Sequence, residues 1–412
     1  MYDQITLPNG LRVIGEKIPH FRSVSVGLWL GAGSQYETPA QAGVSHFLEH
    51  MVFKGTQKRT ARDIAEEMDE VGGQLNAFTS KECTCFYAKV VDEHLPLAMD
   101  VISDLVTAPL FDPAEMEKEK GVVLEEISMA EDTPEDVAGE LIMLAKYGDQ
   151  PIARPILGSS ASVGGFSRQD LLTYYQAMYR PENAVLSLAG NYDWDHVLAL
   201  TEKYLGAWSA EGYSRPDFVT NVVPPTTLNR EKDIEQVHIC LGYPGLNQWD
   251  ERNYDLALLN SVFGGSMSSR LFQKIREESG LAYSVYSYPG VYTDCGLLTV
   301  YAGTNPENAV RVAEMLREEA ARMARDGLTQ REFTMGREQL KAGFILGQES
   351  TSARMQSIGR RLLLMNETRT ETEVINRVNA LTLDGVNALA RELLSAPCAI
   401  ALVGKGVSGM EI

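Results

Sequence analysis

The run His46-Phe47-Leu48-Glu49-His50 constrains this chain more than any other stretch of its sequence. In a helix, positions i, i+3 and i+4 lie on one face, so His46, Glu49 and His50 would point the same way. Two imidazoles one turn apart can hold one metal ion, and a carboxylate beside them can serve as a general base at an open coordination position. The order is the reverse of the commoner H-E-x-x-H motif. The run therefore predicts a helix that carries two metal ligands and a base.

The alternative interpretation is an ordinary helix with two surface histidines and a glutamate. The chain has six histidines among 412 residues, so a chance match to this pattern has a frequency well below ~5% on composition alone. The motif is nevertheless incomplete, because a catalytic zinc ion requires a third protein ligand.

Length and composition predict the general class of the protein. A chain of 412 residues exceeds the size of a single core, which predicts two domains of roughly 200 residues each. Its 44% hydrophobic and 23% charged residues are typical of a soluble globular protein. No apolar run approaches a membrane span, and the first residues lack the features of a signal peptide. We therefore expect a cytoplasmic protein with no membrane partner.

The charge and the cysteine content argue against a nucleic-acid-binding protein and against a site built from cysteines. The formal net charge of −19 argues against a nucleic-acid partner, which would require a basic surface. It would suit a cleft for cationic peptides, although a solvated acidic surface is the more common cause of such a charge. The five cysteines are typical of reduced thiols, and Cys83 and Cys85 have no second pair that would complete a metal site.

Local patterns predict a mixed α+β first half. A hairpin is expected around Pro8-Asn9-Gly10, a half-buried strand over residues 23–30, and two strands within residues 74–91. Thr60 is a predicted helix cap, and Asp112-Pro113 opens a long helix.

The long helix contains a candidate third ligand. Glu119 and Glu126 are seven residues apart and share a stripe, among buried aliphatic residues that would turn part of the helix inward. Either acid could supply a metal ligand, but most acids on helices are solvated.

The second half of the chain repeats the first. Residues 213–230 lose periodicity and contain three prolines, which predicts a linker between domains 1–212 and 231–412. After it, Val262-Phe263-Gly264-Gly265 matches Val52-Phe53-Lys54-Gly55, each at the end of an apolar helix. In that register the residues at the positions of His46, Glu49 and His50 are Leu256, Leu259 and Asn260. We predict a duplicated fold whose second copy lacks the metal motif.

Residues 43–56 resemble the pitrilysin-type zinc peptidases, and within that family the β subunit of mitochondrial processing peptidase and its bacterial relatives. The matching run is Gly43-Val44-Ser45-His46-Phe47-Leu48-Glu49-His50-Met51-Val52-Phe53-Lys54-Gly55-Thr56. The resemblance covers essentially the whole chain. It implies an α+β fold of two homologous α/β-roll domains, mostly antiparallel sheet with packed helices, that enclose a cavity.

The resemblance also implies a complete metal site. Glu126, which lies 76 residues after His50, matches the family's third zinc ligand. His46, His50 and Glu126 would then hold one Zn²⁺ per chain, with Glu49 as the general base. Glu119 matches a second glutamate that supports the site.

Further positions match residues that contact the substrate in the family. Asn76, Ala77, Phe78 and Thr79 match a strand that pairs with substrate backbone. Arg276 and Tyr283 match a pair that reaches the catalytic centre, although an Arg276–Glu277 ion pair and a Tyr283 packed in a strand are the structural alternative. Asp136 and Glu140 match acids that receive a substrate arginine, although they could be solvated helix acids.

The function that the resemblance implies is a zinc-dependent metalloendopeptidase acting on extended peptides, most simply as a homodimer. Two other functions remain open at this point. One is a noncatalytic scaffold of the same fold, and the other is a module that binds peptides without cutting them. Manganese or cobalt could also replace zinc at such a site.

Overall fold

The computed structural model describes residues 2–209 and 218–410. Its strands are β1 (Asp3–Thr6), β2 (Arg12–Lys17), β3 (Ser23–Leu30), β4 (Gln74–Thr79), β5 (Thr84–Val91), β6 (Ala184–Gly190), β7 (Thr227–Glu231), β8 (Val237–Pro244), β9 (Ala282–Val291), β10 (Gly296–Thr304) and β11 (Ala399–Gly404). Its α-helices are α1 (Val44–Val52), α2 (Ala61–Glu70), α3 (Leu95–Thr107), α4 (Pro113–Asp132), α5 (Pro134–Tyr147), α6 (Ser160–Gly165), α7 (Arg168–Met178), α8 (Trp194–Leu205), α9 (Asn253–Phe263), α10 (Ala309–Asp326), α11 (Gln330–Gly347), α12 (Thr351–Met365), α13 (Glu371–Asn379) and α14 (Leu383–Leu394). A π-helical segment spans Phe272–Glu278.

Local sequence signals placed the elements of the first half well. The predicted hairpin is β1–β2, and the predicted strand over residues 23–30 is β3. Thr60 caps α2 through its side chain, and the Asp112 carboxylate accepts hydrogen bonds from the first turn of α4. These predictions are confirmed because capping and strand alternation depend on neighbouring residues.

The described residues form two compact units. The first contains residues 2–128, 155–209 and 347–369, and the second contains residues 129–154, 218–346 and 370–410. No helix in these ranges has the length and apolar character needed to cross a membrane.

A six-stranded sheet organises the first unit. Its strand order is β1-β2-β6-β3-β5-β4, and its pairs are antiparallel except β2–β6, which is parallel. Helices α1, α3 and α8 contribute to the core on one face. Helix α12 covers the other face, against Ile14, Trp29 and Val185. Because β4 is last in the strand order, it is an edge strand. The centre of the sheet is buried on both sides by the helices.

The second unit repeats this topology. Its strand order β7-β11-β8-β10-β9 reproduces β2-β6-β3-β5-β4, including the single parallel pair at β7–β11. Helices α9, α10 and α14 contribute to the core on one face, and α5 packs on the other. The predicted α+β class and the predicted duplication are both confirmed.

The two units exchange one helix each, which divides the chain differently from the predicted boundary. Helix α5 precedes the predicted linker but belongs to the second unit, whereas α12 follows the linker but belongs to the first. Within the predicted linker 213–230, residues 213–217 lie outside the described residues, and residues 227–230 form most of β7. The largely exposed side chains of β7 give it no apolar alternation, and its pairing with the distant β11 is not encoded locally.

Close backbone packing and buried hydrogen bonds hold α12 on the first sheet. Trp29 Nε1 donates to Ser187 Oγ at 2.8 Å, and Ser187 Oγ donates to the Met355 carbonyl at 3.1 Å. A Cβ atom at Gly359 would overlap both Trp29 Nε1 and Ser187 Oγ. Glycine is therefore required at this position by the contact between α12 and the sheet.

We predict that Gly359→Ala lowers the free energy of unfolding by about 1–3 kcal/mol, because the added methyl group overpacks this contact. Gly343→Ala is the matched control on α11, where a Cβ meets nothing within 4 Å. It should leave stability unchanged or raise it by up to about 1 kcal/mol. Urea denaturation of the two variants checks the difference, and equal effects would contradict the packing described here.

Candidate metal centre

Helix α1 is fixed at its N-terminus by a buried carboxylate. Glu37 accepts hydrogen bonds from the backbone N–H groups of Gly43 and Ser45, each at 2.8 Å. These donors would otherwise lack partners, and the negative charge is favourable at the positive end of the helix dipole. Gly43 has φ 92° and lies against the carbonyl of Leu157, which leaves no space for a side chain. The start of the helix is therefore held in one orientation.

The apolar face of α1 determines where its polar residues point. Phe47, Leu48 and Met51 are fully buried in the core. His46, Glu49 and His50 occupy the opposite face and are half-buried. The predicted one-sided arrangement of these three residues is thus present in the structure.

His46, His50 and Glu126 converge on one point. Glu126 Oε2 lies 3.7 Å from His46 Nε2 and 3.4 Å from His50 Nε2. The candidate ligand atoms all lie within 4.8 Å of one another, and no other group of three His, Cys, Asp or Glu side chains in the described part of the chain does so. Two imidazole nitrogens and one carboxylate oxygen are a donor set typical of catalytic zinc. The residues present therefore fit this metal.

Glu119 orients His50. Its Oε1 lies 2.8 Å from His50 Nδ1, a contact that favours the tautomer with its proton on Nδ1 and its lone pair on Nε2, the atom that faces Glu126. The other oxygen of Glu119 lies 2.6 Å from the Lys54 ammonium. A carboxylate behind a ligand histidine fixes both the tautomer and the orientation of the ring.

His46 is suited to remain neutral. Burial, and then the charge of His50, lower its pKa to about 4. The ring is therefore uncharged near neutral pH, with a lone pair free for coordination. Its Nδ1 is buried and has no hydrogen-bond partner among the described residues.

Glu49 lies beside these three residues but has a different partner. Thr79 Oγ1 donates a hydrogen bond of 2.5 Å to Glu49 Oε2, which ties α1 to the edge strand β4. Burial raises the pKa of Glu49, and the charge of Glu126 raises it further, although the Thr79 hydrogen bond and His50 act in the opposite direction. A carboxylate with a raised pKa holds a proton more readily, as a general base requires.

Strand β4 offers a free edge next to Glu49. Its residues Asn76, Ala77, Phe78 and Thr79 pair with β5 on one side, and no described strand pairs with the other. Such an edge can accept an extended peptide through backbone hydrogen bonds.

Among the described residues of the second copy, no comparable group of metal ligands is present. Leu256 and Leu259 are buried in the apolar core. The Asn260 amide oxygen accepts a hydrogen bond from Ser287 Oγ at 2.8 Å. Buried leucines and a hydrogen-bonded asparagine therefore stand at the positions equivalent to His46, Glu49 and His50.

The second unit positions Arg276 and Tyr283 together. The Arg276 guanidinium lies 4.7 Å from the ring centroid of Tyr283 and 4.7 Å from that of Phe272. Tyr283 is 75% exposed and so is not a packed core residue, while Arg276 Nε is 3.8 Å from Glu277. The pair lines a cavity of about 270 Å³ with Gly264 and Met267.

Asp136 and Glu140 both lie on α5, as their spacing predicts, with Asp136 exposed and Glu140 half-buried. This helix belongs to the second unit, whereas the metal centre belongs to the first. A different acid of the same helix, Glu135, accepts a hydrogen bond from the Tyr286 hydroxyl.

Sequence reasoning missed two residues of the centre, Glu37 and Lys54. Lys54 stands four residues after His50, the spacing of one helical face, so a signal was available. Glu37 lies in a loop without periodicity and gave no such signal.

Two family models match this chain. The model described as insulinase (peptidase family M16) matches residues 12–160, and the model described as peptidase M16 inactive domain matches residues 165–340. The chain belongs to the M16 peptidase family. The resemblance to pitrilysin-type peptidases is thereby confirmed, and the motif lies in the part matched by the first model.

Relatives along the full length carry related names. The "uncharacterized zinc protease YmxG" of Bacillus subtilis is 46% identical over 98% of each chain. An "uncharacterized zinc protease" of Mycobacterium leprae is 42% identical over 97% of this chain and 91% of its own.

Solved structures share the fold of this M16 chain. A protease from Helicobacter pylori is 21% identical and superimposes with a TM-score of 0.91 over 98% of this chain and 99% of its own. A peptidase M16 inactive domain structure from Pseudomonas fluorescens gives the same TM-score at 19% identity, over 99% of this chain and 98% of its own.

Proposed function

We propose that this M16 chain is a zinc-dependent metalloendopeptidase that hydrolyses peptide bonds in extended peptides or unfolded segments. The observation that carries the proposal is the convergence of His46, His50 and Glu126 with Glu49 beside them. The names of the full-length relatives support the choice of metal and the class of reaction.

His46 and His50 would hold the zinc ion through Nε2, and Glu126 through its carboxylate. Zinc, when bound, would supply Lewis acidity that lowers the pKa of water and polarises the scissile carbonyl. Glu119 keeps His50 in the required tautomer. The proposed stoichiometry is one zinc ion per chain.

Glu49 is the proposed general base. It accepts a proton from the attacking water as the water oxygen bonds to the carbonyl carbon. It then passes that proton to the amine nitrogen as the C–N bond breaks. The Thr79 hydrogen bond holds one carboxylate oxygen and leaves the other for this exchange.

The free edge of β4 is the proposed substrate site. Residues Asn76–Thr79 would pair with peptide backbone, and Thr79 joins that edge to the base. Backbone pairing is independent of side chains and needs an extended chain. Unfolded or extended peptides are therefore the expected substrates.

Arg276 and Tyr283 are the proposed donors to the developing oxyanion. The guanidinium presents several N–H groups and the phenol one O–H. Tyr283 is exposed, which suits a side chain that meets a ligand better than one that supports a core.

We also propose a homodimer as the working form, which light scattering of the purified chain tests.

Glu49→Gln should lower peptide turnover by about a hundredfold or more, because the base is lost while the shape is kept. Its zinc content should equal that of the wild type.

Glu126→Ala should instead lose zinc, because it removes a ligand. Fluorogenic peptide cleavage and metal analysis of both variants check these results. Wild-type protein that binds peptides without cutting them, with or without a chelator, would favour a noncatalytic role.

Tyr283→Phe should reduce turnover by at least about tenfold, because one oxyanion donor is removed. The exposed position predicts an unchanged melting temperature and zinc content. Tyr288→Phe, on the same strand β9 and 41% exposed, is the matched control and should keep wild-type turnover. Equal kinetics for the two variants would remove Tyr283 from the site.

Peptides with Arg or Lys on the N-terminal side of the cut should be preferred if Asp136 and Glu140 receive a basic residue. Reversing both charges, with Asp136→Lys and Glu140→Lys, should shift the cleavage profile of a peptide library toward acidic residues. An unchanged profile would leave both as surface acids of α5.

A further inference from the structure

Lys54 is a charged residue of the first unit to which no role has been given so far. It follows the end of α1, and its ammonium lies 2.6 Å from Glu119 Oε2. The other Glu119 oxygen lies 2.8 Å from His50 Nδ1. One carboxylate therefore links Lys54 to a candidate metal ligand.

The burial of Glu119 makes this ion pair different from one on the surface. Glu119 is only 4% exposed, and removing a carboxylate from water is unfavourable unless a charge and hydrogen bonds compensate. Lys54 is the only lysine or arginine that pairs with Glu119 among the described residues. The ammonium therefore provides the cationic partner that this buried side chain contacts within the protein.

The geometry also restricts rotation of the carboxylate. With one oxygen held by Lys54 and the other by His50, Glu119 has a single orientation that satisfies both contacts. That orientation keeps the His50 proton on Nδ1 and directs Nε2 toward Glu126, 3.4 Å away. Loss of the ammonium would free one oxygen and loosen the other contact.

The second copy of the fold provides an independent observation. Asp112 caps α4 and Thr329 caps α11, which sets the register between these equivalent helices. In that register, and in the register of α1 with α9, two histidines, three glutamates and one lysine of the centre are all replaced. The replacements are Leu256 for His46, Leu259 for Glu49, Asn260 for His50, Gly264 for Lys54, Gly336 for Glu119 and Gly343 for Glu126.

We propose that Lys54 is a positioning residue of the metal centre. Its ammonium fixes the Glu119 carboxylate, which holds His50 in the tautomer and orientation that present Nε2 to the metal. The inference rests on the proposed zinc site. Among the described residues the ion pair of Lys54 is with Glu119, so its effect passes through Glu119.

The first test is zinc affinity, measured on zinc-free protein by competition with a chromogenic chelator. Lys54→Met keeps the aliphatic length but removes the charge, and it should weaken zinc binding by about 10- to 100-fold, the usual effect of losing an outer-sphere partner. Lys54→Arg should restore most of the affinity. Lys58→Met is the matched control, because Lys58 is largely exposed and its ammonium pairs with Asp100 and Asp104, at 3.5 and 3.9 Å, and not with Glu119. It should bind zinc as the wild type does.

The second test separates positioning from general stability. Nitrogen-15 NMR of the zinc-free protein should show His50 as a single tautomer protonated at Nδ1 in the wild type and in Lys58→Met. Lys54→Met should show a mixture of tautomers at a melting temperature near that of the wild type. If Lys54→Met is unstable, Lys54→Gln replaces it in both tests.

Two outcomes would overturn different claims. Unchanged zinc affinity together with an unchanged His50 tautomer in Lys54→Met would reduce Lys54 to a surface cation. A wild-type protein that takes up no zinc would contradict the proposed metal centre, and the tautomer measurement would still decide the role of Lys54.

Discussion

A sheet with two apolar faces must be covered on both sides, and this constraint shapes the whole molecule. Strand β6 is buried along its full length, and β3 along nearly all of it. Helices from the same half of the chain cover one face of each sheet, and the exchanged helices α12 and α5 cover the other. Gly359 and the Trp29–Ser187 hydrogen bond allow α12 to approach closely. Neither half of the sequence therefore contains all of its own core.

The metal centre depends on that rigid support. The buried side of α1 packs in the core beneath the sheet, so its opposite side is presented in one orientation. Helix α4 brings two carboxylates to this face of α1. Glu126 faces Nε2 of both histidines, and Glu119 contacts Nδ1 of His50. Burial then makes each polar contact strong, because an unpaired charge would be costly there. The same burial explains why each of these side chains has a specific partner.

Sequence alone predicted those features that depend on local patterns. The HxxEH helix, the bounds of β3 and the caps of α2 and α4 follow from spacing within a few residues. The pairing of Glu119 and Glu126 with α1 required the family resemblance, because helix periodicity identifies a stripe but not its neighbour. The sequence near α5 and α12 does not indicate their exchange, because the apolar pattern of either helix would allow it to cover either sheet. Strand β7 falls within the predicted linker because its sequence lacks apolar alternation, and in the structure its side chains are mostly exposed.

The two copies of the fold separate the requirements of folding from those of the site. The second unit keeps the strand order, the parallel pair and a helix equivalent to α1, yet it has leucine where the first has His46 and Glu49. These leucines are fully buried, so the fold gains apolar burial at positions where the first copy keeps half-buried polar groups. The polar residues that are replaced as a set in the second copy are therefore not required by the fold, which supports the proposal that they serve the metal site of the first copy. Lys54 and Glu119 belong to that set, because each is replaced by glycine at the equivalent position.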